Sequence, residues 1–137
     1  MNKAYDSIRW DFLIVMLQRM GFSQAWVHWI TQCVTTVSYS VLINGSPTKP
    51  FILARGLRQG NPLSPYLFLL CANVLSCALL KQETTKHLKG IKIGRANQPL
   101  SHSLFADDLF LFFKNDKTSP KTIQKHWPGT IVYLDRV

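Results

Sequence analysis

The stretch SLFADDLFLFF, from Ser103 to Phe113, sets two adjacent aspartates, Asp107 and Asp108, among apolar residues. Two carboxylates beside a core are costly to desolvate, and they repel each other. Side chains of neighbouring strand residues point to opposite faces, so both acids can serve one site only where the backbone turns. The pattern therefore predicts a hairpin with strands over Leu100–Phe105 and Leu109–Lys114 and the acids at its bend.

The acidic pair has the chemistry of a magnesium site. Mg²⁺ prefers oxygen ligands and usually takes one or two protein carboxylates together with substrate phosphates. A bound cation also removes the repulsion between the two acids. An ordinary Asp-rich turn explains the same two residues, and the pair taken alone favours that alternative.

A second stretch, ARGLRQGNPLSPYLFLL at Ala54–Leu70, combines a polar loop with the start of an apolar helix. Gly56 and Gly60 allow the backbone to approach a flat or extended ligand closely. Arg58 can reach a phosphate or carboxylate, and Gln59 can hydrogen-bond a sugar or a base edge. A loop that only caps a hydrophobic helix is the structural alternative.

A third stretch, NKAYDSIRWDFL at Asn2–Leu13, places an aromatic residue beside an acid just ahead of a predicted helix. Its structural alternative is a tyrosine that packs against a strand end and an aspartate that caps a helix. Together and in chain order, the segments Lys3–Trp10, Arg58–Pro65 and Phe105–Asp108 resemble the reverse transcriptase domain of non-LTR (LINE-type) retrotransposons, especially the plant type. That family carries K-A-[FY]-D-x-[VI]-x-W, then R-Q-G-x-P-L-S-P, then [FY]-A-D-D.

The resemblance covers residues 1–114 and leaves 115–137 as a divergent tail. It implies an α+β fold: a partial polymerase palm, in which an antiparallel sheet carries the catalytic hairpin and helices pack on one face, with part of the fingers. It implies RNA-templated DNA synthesis, in which a primer 3′-hydroxyl attacks a deoxynucleoside triphosphate with the help of two Mg²⁺ ions. The implied partners are an RNA template, a DNA primer, their RNA–DNA hybrid and dNTP.

The resemblance also implies roles for single residues. Asp107 and Asp108 match the catalytic, metal-binding aspartates. Tyr5 matches the aromatic residue that excludes a ribose 2′-hydroxyl. The residues that match the nucleotide- and template-contacting loop are Arg58, Gln59 and Gly60.

Two departures from the family pattern predict an inactive chain. The family's first catalytic aspartate normally lies five residues before the aromatic residue, a position just ahead of Met1, and Asp6 would need a different backbone path to replace it. The thumb and part of the fingers have no counterpart, and Asn115–Val137 offers no clear match. A non-catalytic basic nucleic-acid-binding module and a translated retrotransposon relic without selected function are the alternatives.

Composition agrees with a nucleic-acid partner. The 137 residues carry 16 Lys and Arg against 7 Asp and Glu, a formal charge of +9. Such a surplus is typical of nucleic-acid-binding domains, although an undirected basic surface is the alternative. The apolar run Tyr66–Leu80 is shorter than the ~20 residues of a membrane span, so we predict a buried helix over Leu63–Lys81 and no membrane partner.

The remaining patterns predict further elements and a location. Cys33, Cys71 and Cys77 lack ligand spacing and are predicted to be buried, reduced thiols of an intracellular protein. Without an evident targeting signal, lineage suggests a nuclear or cytoplasmic location. Tryptophans are predicted to anchor the core. Two further helices are predicted, one over Ser7–Met20 that Gly21 ends and one that begins at Ser23 as its N-cap. A half-buried Val37–Ile43 strand is predicted to turn at Asn44-Gly45 and return at Phe51–Ala54. The last predicted elements are a short Ile91–Ile93 strand and a helix near Pro120–His126.

Overall fold

The computed structural model describes residues 4–93, 98–106, 108–114 and 133–135, and these residues form two compact units. The first unit runs to Cys71 and the second begins at Ala72. Helices combine with short, mostly antiparallel sheets in the way expected of an α+β protein. The helices are α1 Ala4–Ser7, α2 Trp10–Arg19, α3 Gln24–Thr35 and α4 Ser64–Thr84. The strands are β1 Ser38–Tyr39, β2 Leu42–Ile43, β3 Ser46–Pro47, β4 Phe51–Ile52, β5 Ile91–Ile93, β6 Gln98–Leu100, β7 His102–Phe105, β8 Asp108–Lys114 and β9 Tyr133–Asp135.

The predicted first helix is divided into α1 and α2. Arg9 interrupts it with an extended backbone (φ −80°, ψ 134°) and is the N-cap of α2. No side chain caps this helix end, so Asp6 does not have the capping role of the structural alternative. The break places Tyr5 and Asp6 on a short helix of their own.

Local signals set both ends of the α2–α3 connection. Gly21 ends α2 in a left-handed conformation (φ +86°), and its N–H donates to the Gln18 carbonyl. The next N–H, of Phe22, reaches back to Leu17, which completes a glycine C-cap. Ser23 caps α3 as predicted, because its hydroxyl accepts a hydrogen bond from the backbone N–H of Trp26 at 3.3 Å.

Aliphatic side chains form the core of the first unit, where tryptophans were predicted. Trp10 and Trp26 are half-buried, and Trp29 is 64% exposed. The helices α2 and α3 are phased so that smaller side chains face inward, and large indoles are seldom fully buried. The buried apolar residues of this unit are Ala4, Leu13, Met16, Leu17, Val27, Ile30, Leu57 and Leu67.

The predicted hairpin between residues 37 and 54 forms, with β1 paired to β4 and β2 to β3. Asn44 (φ 49°) and Gly45 (φ 82°) are both left-handed, as a two-residue turn between twisted strands requires. The predicted half-burial is wrong for its tip, since Leu42 is 71% exposed. Alternation puts apolar residues on one face, but burial needs a second layer, which the described residues do not place there.

Helix α4 begins close to its predicted start. The Asn61 side chain accepts a hydrogen bond from the Leu63 N–H at 2.9 Å, just ahead of the first helical residue. The helix has 21 residues and a mean hydropathy of 1.5 over its most apolar window, so by length and composition it is long enough to cross a membrane. Core helices of soluble proteins have the same property. Leu67 and Leu79 are buried, whereas Tyr66 and Leu69 are exposed.

The cysteines differ from their predicted burial. Cys33 and Cys77 are exposed, because α3 and α4 turn other faces inward. Only Cys71 is partly buried, and burial raises the pKa of its thiol to about 11. This thiol is therefore protonated at neutral pH and unreactive.

One face of the sheet in the second unit packs against a helix. Strand β8 pairs antiparallel with β7 and parallel with β9. Alternate residues of β8 point to the same face, where they meet the C-terminal half of α4. The resulting core contains Leu75, Leu79, Leu88, Leu109, Leu111 and Phe113. Helices packed on one face of an antiparallel sheet were predicted, and α4 covers one face of this hairpin. The predicted helix near Pro120–His126 lies outside the described residues.

His102 connects β7 to α4 in this unit. Its Nε2 lies 2.6 Å from the Ser76 hydroxyl, and its Nδ1 lies 3.1 Å from the hydroxyl of Ser101, which is buried. Burial lowers the pKa of His102 below its ordinary value of 6.5, against an opposing influence of Glu83. The imidazole is therefore a neutral hydrogen-bonding group of the folded unit at neutral pH.

Stability is expected to fall as the pH drops through 6.5, because the unfolded chain then binds a proton at His102 that the folded chain does not. The loss ends below the lowered folded pKa, and above 6.5 this group has no influence. Urea unfolding midpoints measured from pH 5 to pH 8 test this, with His102→Gln as the comparison. An identical pH profile in the variant would show that His102 is not the responsible group.

Candidate active site

Three hydrogen bonds join the segment around α1 to the loop Arg55–Gly60, here called the 55–60 loop. Two are backbone bonds and the third comes from the indole of Trp10, so segments far apart in the sequence are fixed to each other. The bonds run from the Gly56 N–H to the Ile8 carbonyl (2.8 Å), from the Leu57 N–H to the Tyr5 carbonyl (2.9 Å), and from Trp10 Nε1 to the Gly56 carbonyl (2.8 Å).

Gly56 is at the centre of this join. Its backbone is left-handed (φ +98°), and a Cβ there would lie 3.1 Å from the Asp6 Cα and 3.2 Å from the Asp6 carbonyl oxygen. The close approach expected at this glycine is therefore made to the chain's own backbone and not to a ligand. Gly60 is also left-handed (φ +83°), but it faces open space.

Tyr5 is fixed by an aromatic contact within the first unit. Its ring stacks on that of Phe68 with centroids 4.7 Å apart and planes 12° from parallel. The tyrosine is half-buried, and its carbonyl holds the 55–60 loop as described above. Its predicted role against a ribose 2′-hydroxyl stays a prediction.

A cleft of about 760 Å³ opens beside the 55–60 loop, and it is called the first cleft below. Arg58 and Gln59 line it, and both are exposed, as is the neighbouring Gly60. Sequence reasoning missed Arg55, although it lies three residues before Arg58 in the same pattern, and Tyr39, which only the fold brings here. The full lining is Asp6, Tyr39, Leu53, Ala54, Arg55, Gly56, Leu57, Arg58 and Gln59.

The acidic hairpin belongs to the second unit. Strands β7 and β8 pair from His102 with Leu111 to Phe105 with Asp108, which leaves two residues between them. The first of the two, Ala106, is left-handed (φ 50°). The predicted hairpin forms, but its strands run over His102–Phe105 and Asp108–Lys114. Asp108 therefore pairs with Phe105 instead of lying in the bend, and it is exposed. Asp107 lies outside the described residues.

The donor set at this hairpin fits a hard divalent cation. Asp108 offers carboxylate oxygens at an exposed strand end directly after a tight turn, and Mg²⁺ prefers such ligands. Across the residues that the structure describes, no three or more His, Cys, Asp or Glu side chains are grouped to hold a metal. Of the two aspartates, the structure therefore describes one carboxylate, that of Asp108.

The predicted site residues fall into two sets. Tyr5, Arg58, Gln59 and Gly60 lie in the first unit, where the join brings them to one region. Asp108 lies in the second unit.

Comparison with known proteins identifies the family. Residues 1–134 match the family model "Reverse transcriptase (RNA-dependent DNA polymerase)", so the chain belongs to this family, in the form found in non-LTR retrotransposons. The chain is 32% identical over 123 residues to a Pol polyprotein of the type-1 retrotransposable element R2 of Popillia japonica. It is 32% identical over 110 residues to an uncharacterized 149 kDa protein of transposon TX1 of Xenopus laevis. It is 46% identical over 67 residues to an uncharacterized mitochondrial protein of Arabidopsis thaliana.

These matches differ in how much of each protein they cover. The match to the R2 polyprotein includes 89% of this chain, the match to the TX1 protein 80%, and the match to the mitochondrial protein 49%. The chain spans 16% of the R2 polyprotein, 8% of the TX1 protein and 55% of the mitochondrial protein. Reverse transcriptases as a family bind a nucleic-acid template and primer and are generally metal-dependent.

Proposed function

We propose that this chain is the part of a reverse transcriptase that contacts the template and the incoming nucleotide and contributes two metal-binding carboxylates. One observation carries the proposal: hydrogen bonds join the segment around α1 to the 55–60 loop. These two segments contain separate motifs that were predicted to belong to one site. The function is RNA-templated DNA synthesis within a polymerase palm and part of the fingers, over residues 1–114. Residues 115–137 remain a proposed divergent tail.

Each residue has a separate task in this proposal. Arg58 binds a phosphate through its guanidinium, and Gln59 hydrogen-bonds a sugar or base edge beside it. Tyr5, held by Phe68, excludes a ribose 2′-hydroxyl, and Gly60 leaves open space for the nucleotide. Asp107 and Asp108 hold Mg²⁺, which when bound activates the primer hydroxyl and stabilises charge on the phosphates.

The proposed partners are an RNA template, a DNA primer, the RNA–DNA hybrid and dNTP. The formal charge of +9 supports phosphate contacts along such a hybrid. The proposed location is intracellular, nuclear or cytoplasmic. A non-catalytic basic nucleic-acid-binding module is the second candidate, and the same charge favours it.

We expect the 137-residue chain to bind dNTP on a primer–template in a Mg²⁺-dependent manner without incorporating it. The family's reaction takes three carboxylates, and the three motifs matched here assign two, Asp107 and Asp108, so we propose that the metals are held too weakly for catalysis. Labelled dNTP is incubated with chain, DNA primer and RNA template. Retention on the complex reports binding, and primer length reports synthesis.

Two variants make this experiment specific. Asp107→Asn combined with Asp108→Asn is expected to abolish Mg²⁺-dependent retention, whereas Asp116→Asn, outside the three motifs, keeps it. Hybrid binding without Mg²⁺-dependent retention would favour the non-catalytic module, and no hybrid binding at all would favour the relic. Extension of the primer with Mg²⁺ or Mn²⁺ would contradict the predicted inactivity.

A further inference from the structure

Two clefts of the first unit meet at the beginning of the 55–60 loop. The first cleft contains Arg58 and Gln59, and a second cleft of about 530 Å³ lies beside it. Ala54 and Arg55 line both clefts. The second cleft is lined by Arg9, Trp10, Asp11, Ala54 and Arg55. Arg55 is therefore part of a wall that the two clefts share.

The arginines of the two clefts differ in their partners. Arg9 is neutralised by Asp11, which accepts hydrogen bonds from Arg9 Nε (3.0 Å) and from Arg9 Nη2. Within the described part of the chain, the exposed guanidiniums of Arg55 and Arg58 have no hydrogen bond or ion pair. Asp6 is the acid that opposes them in the first cleft. Positive charge is thus left over along the line from Arg58 to Arg55.

The backbone between these two arginines is rigid. The Gly56 and Leu57 N–H groups are bonded to carbonyls of the segment around α1, and Gly56 packs on Asp6. The loop therefore fixes the backbone positions from which the two side chains extend. Two cations on one short segment can contact neighbouring phosphates of a chain.

Each cleft also has an aromatic residue in its wall. Tyr39 lines the first cleft, and Trp10 lines the second with its indole N–H bonded to the Gly56 carbonyl. A groove that combines unpaired cations with aromatic faces is typical of sites for single-stranded nucleic acids, in which bases stack while phosphates are neutralised.

We propose that Arg55 binds a backbone phosphate of a single-stranded nucleic acid that passes from the first cleft into the second. The inference rests on the proposed function. The second cleft would hold the part of the nucleic-acid strand that extends beyond the nucleotide site. Arg58 binds the neighbouring phosphate, Trp10 offers a stacking face, and the Arg9–Asp11 pair closes the far wall without adding net charge.

Salt-dependent binding to the full chain tests the assignment. Fluorescence anisotropy is measured with labelled single-stranded RNA and DNA of about 12 nucleotides, between about 50 and 200 mM salt. Removing one phosphate contact makes the slope of log K against log salt shallower by about 0.7. This change corresponds to an affinity about eightfold lower at 50 mM salt. Arg55→Gln is expected to show this loss on both strands, because a phosphate contact does not read the sugar, and Arg55→Lys is expected to restore the slope.

Arg19→Gln is the matched control, because Arg19 is exposed and lines neither cleft. This substitution removes the same charge as Arg55→Gln. Equal effects of Arg55→Gln and Arg19→Gln, with binding by the unchanged chain, would overturn this inference and leave the proposed function standing. Displacement of the strand by inorganic phosphate at equal concentration would also overturn it, since the site would then hold a single anion. No binding of either strand by the unchanged chain would count against the proposed function as well.

Discussion

Gly56→Ala is expected to lower the free energy of unfolding of the first unit by about 2–6 kcal/mol. A left-handed non-glycine residue costs about 1–3 kcal/mol. The new methyl group would also lie 3.1–3.2 Å from the Asp6 backbone, where crowding adds about 1–3 kcal/mol unless α1 moves away. Urea unfolding followed by tryptophan fluorescence measures the change, since Trp10 is bonded to the Gly56 carbonyl.

Gly45→Ala is the control that separates the two contributions. Gly45 has a similar left-handed backbone (φ +82°), but no atom lies within 4 Å of the added methyl group. This variant is expected to lose about 1 kcal/mol from backbone strain alone. If the two variants lost the same stability, the contact between the 55–60 loop and α1 would have no energetic role.

The elements that the sequence predicted correctly are those with strong local signals. The Asn44-Gly45 turn, the Ser23 cap and the Gly21 stop each depend on a residue whose backbone or side chain suits one position. The acidic hairpin was predicted because two adjacent acids can serve one site only where the backbone turns, and the chain does turn between Phe105 and Asp108. Such signals act within a few residues and need no knowledge of the rest of the chain.

Helix phase was less predictable. One face of α3 was predicted to carry Trp26, Ile30 and Cys33 or Val34. Of these, Ile30 is buried, but its buried partner is Val27, and Cys33 is exposed. When apolar residues surround much of a helix, several faces fit the same spacing, and the packing partner selects one of them. Exposure of Trp29 follows from that selection.

The site was predicted as a set of residues, but its construction was not. The Trp10 indole donates to a carbonyl 46 residues away in the sequence, a contact that no local pattern encodes. Gly56 likewise needs its glycine because of Asp6, which lies 50 residues earlier in the chain. The position of Arg55 in the walls of both clefts likewise depends on the fold and not on its sequence neighbours.

In the second unit, Phe113→Ala is expected to have the largest effect on stability, about 3–5 kcal/mol. Phe113 is 1% exposed and packs with Leu79 and Leu111, so truncation leaves a cavity between β8 and α4. The same core positions the strand that begins with Asp108. The variant is therefore expected to weaken both the fold and Mg²⁺-dependent dNTP retention.

Phe105→Ala provides a matched control on the same hairpin. Phe105 pairs with Asp108 in the ladder, but its side chain is 74% exposed, so truncation is expected to change stability by no more than about 0.5 kcal/mol. Urea midpoints monitored by far-UV circular dichroism compare the two variants. Equal losses would mean that the hairpin is not stabilised by its contact with α4. A loss at Phe113 alone would show that the hairpin depends on the core that β8 forms with α4.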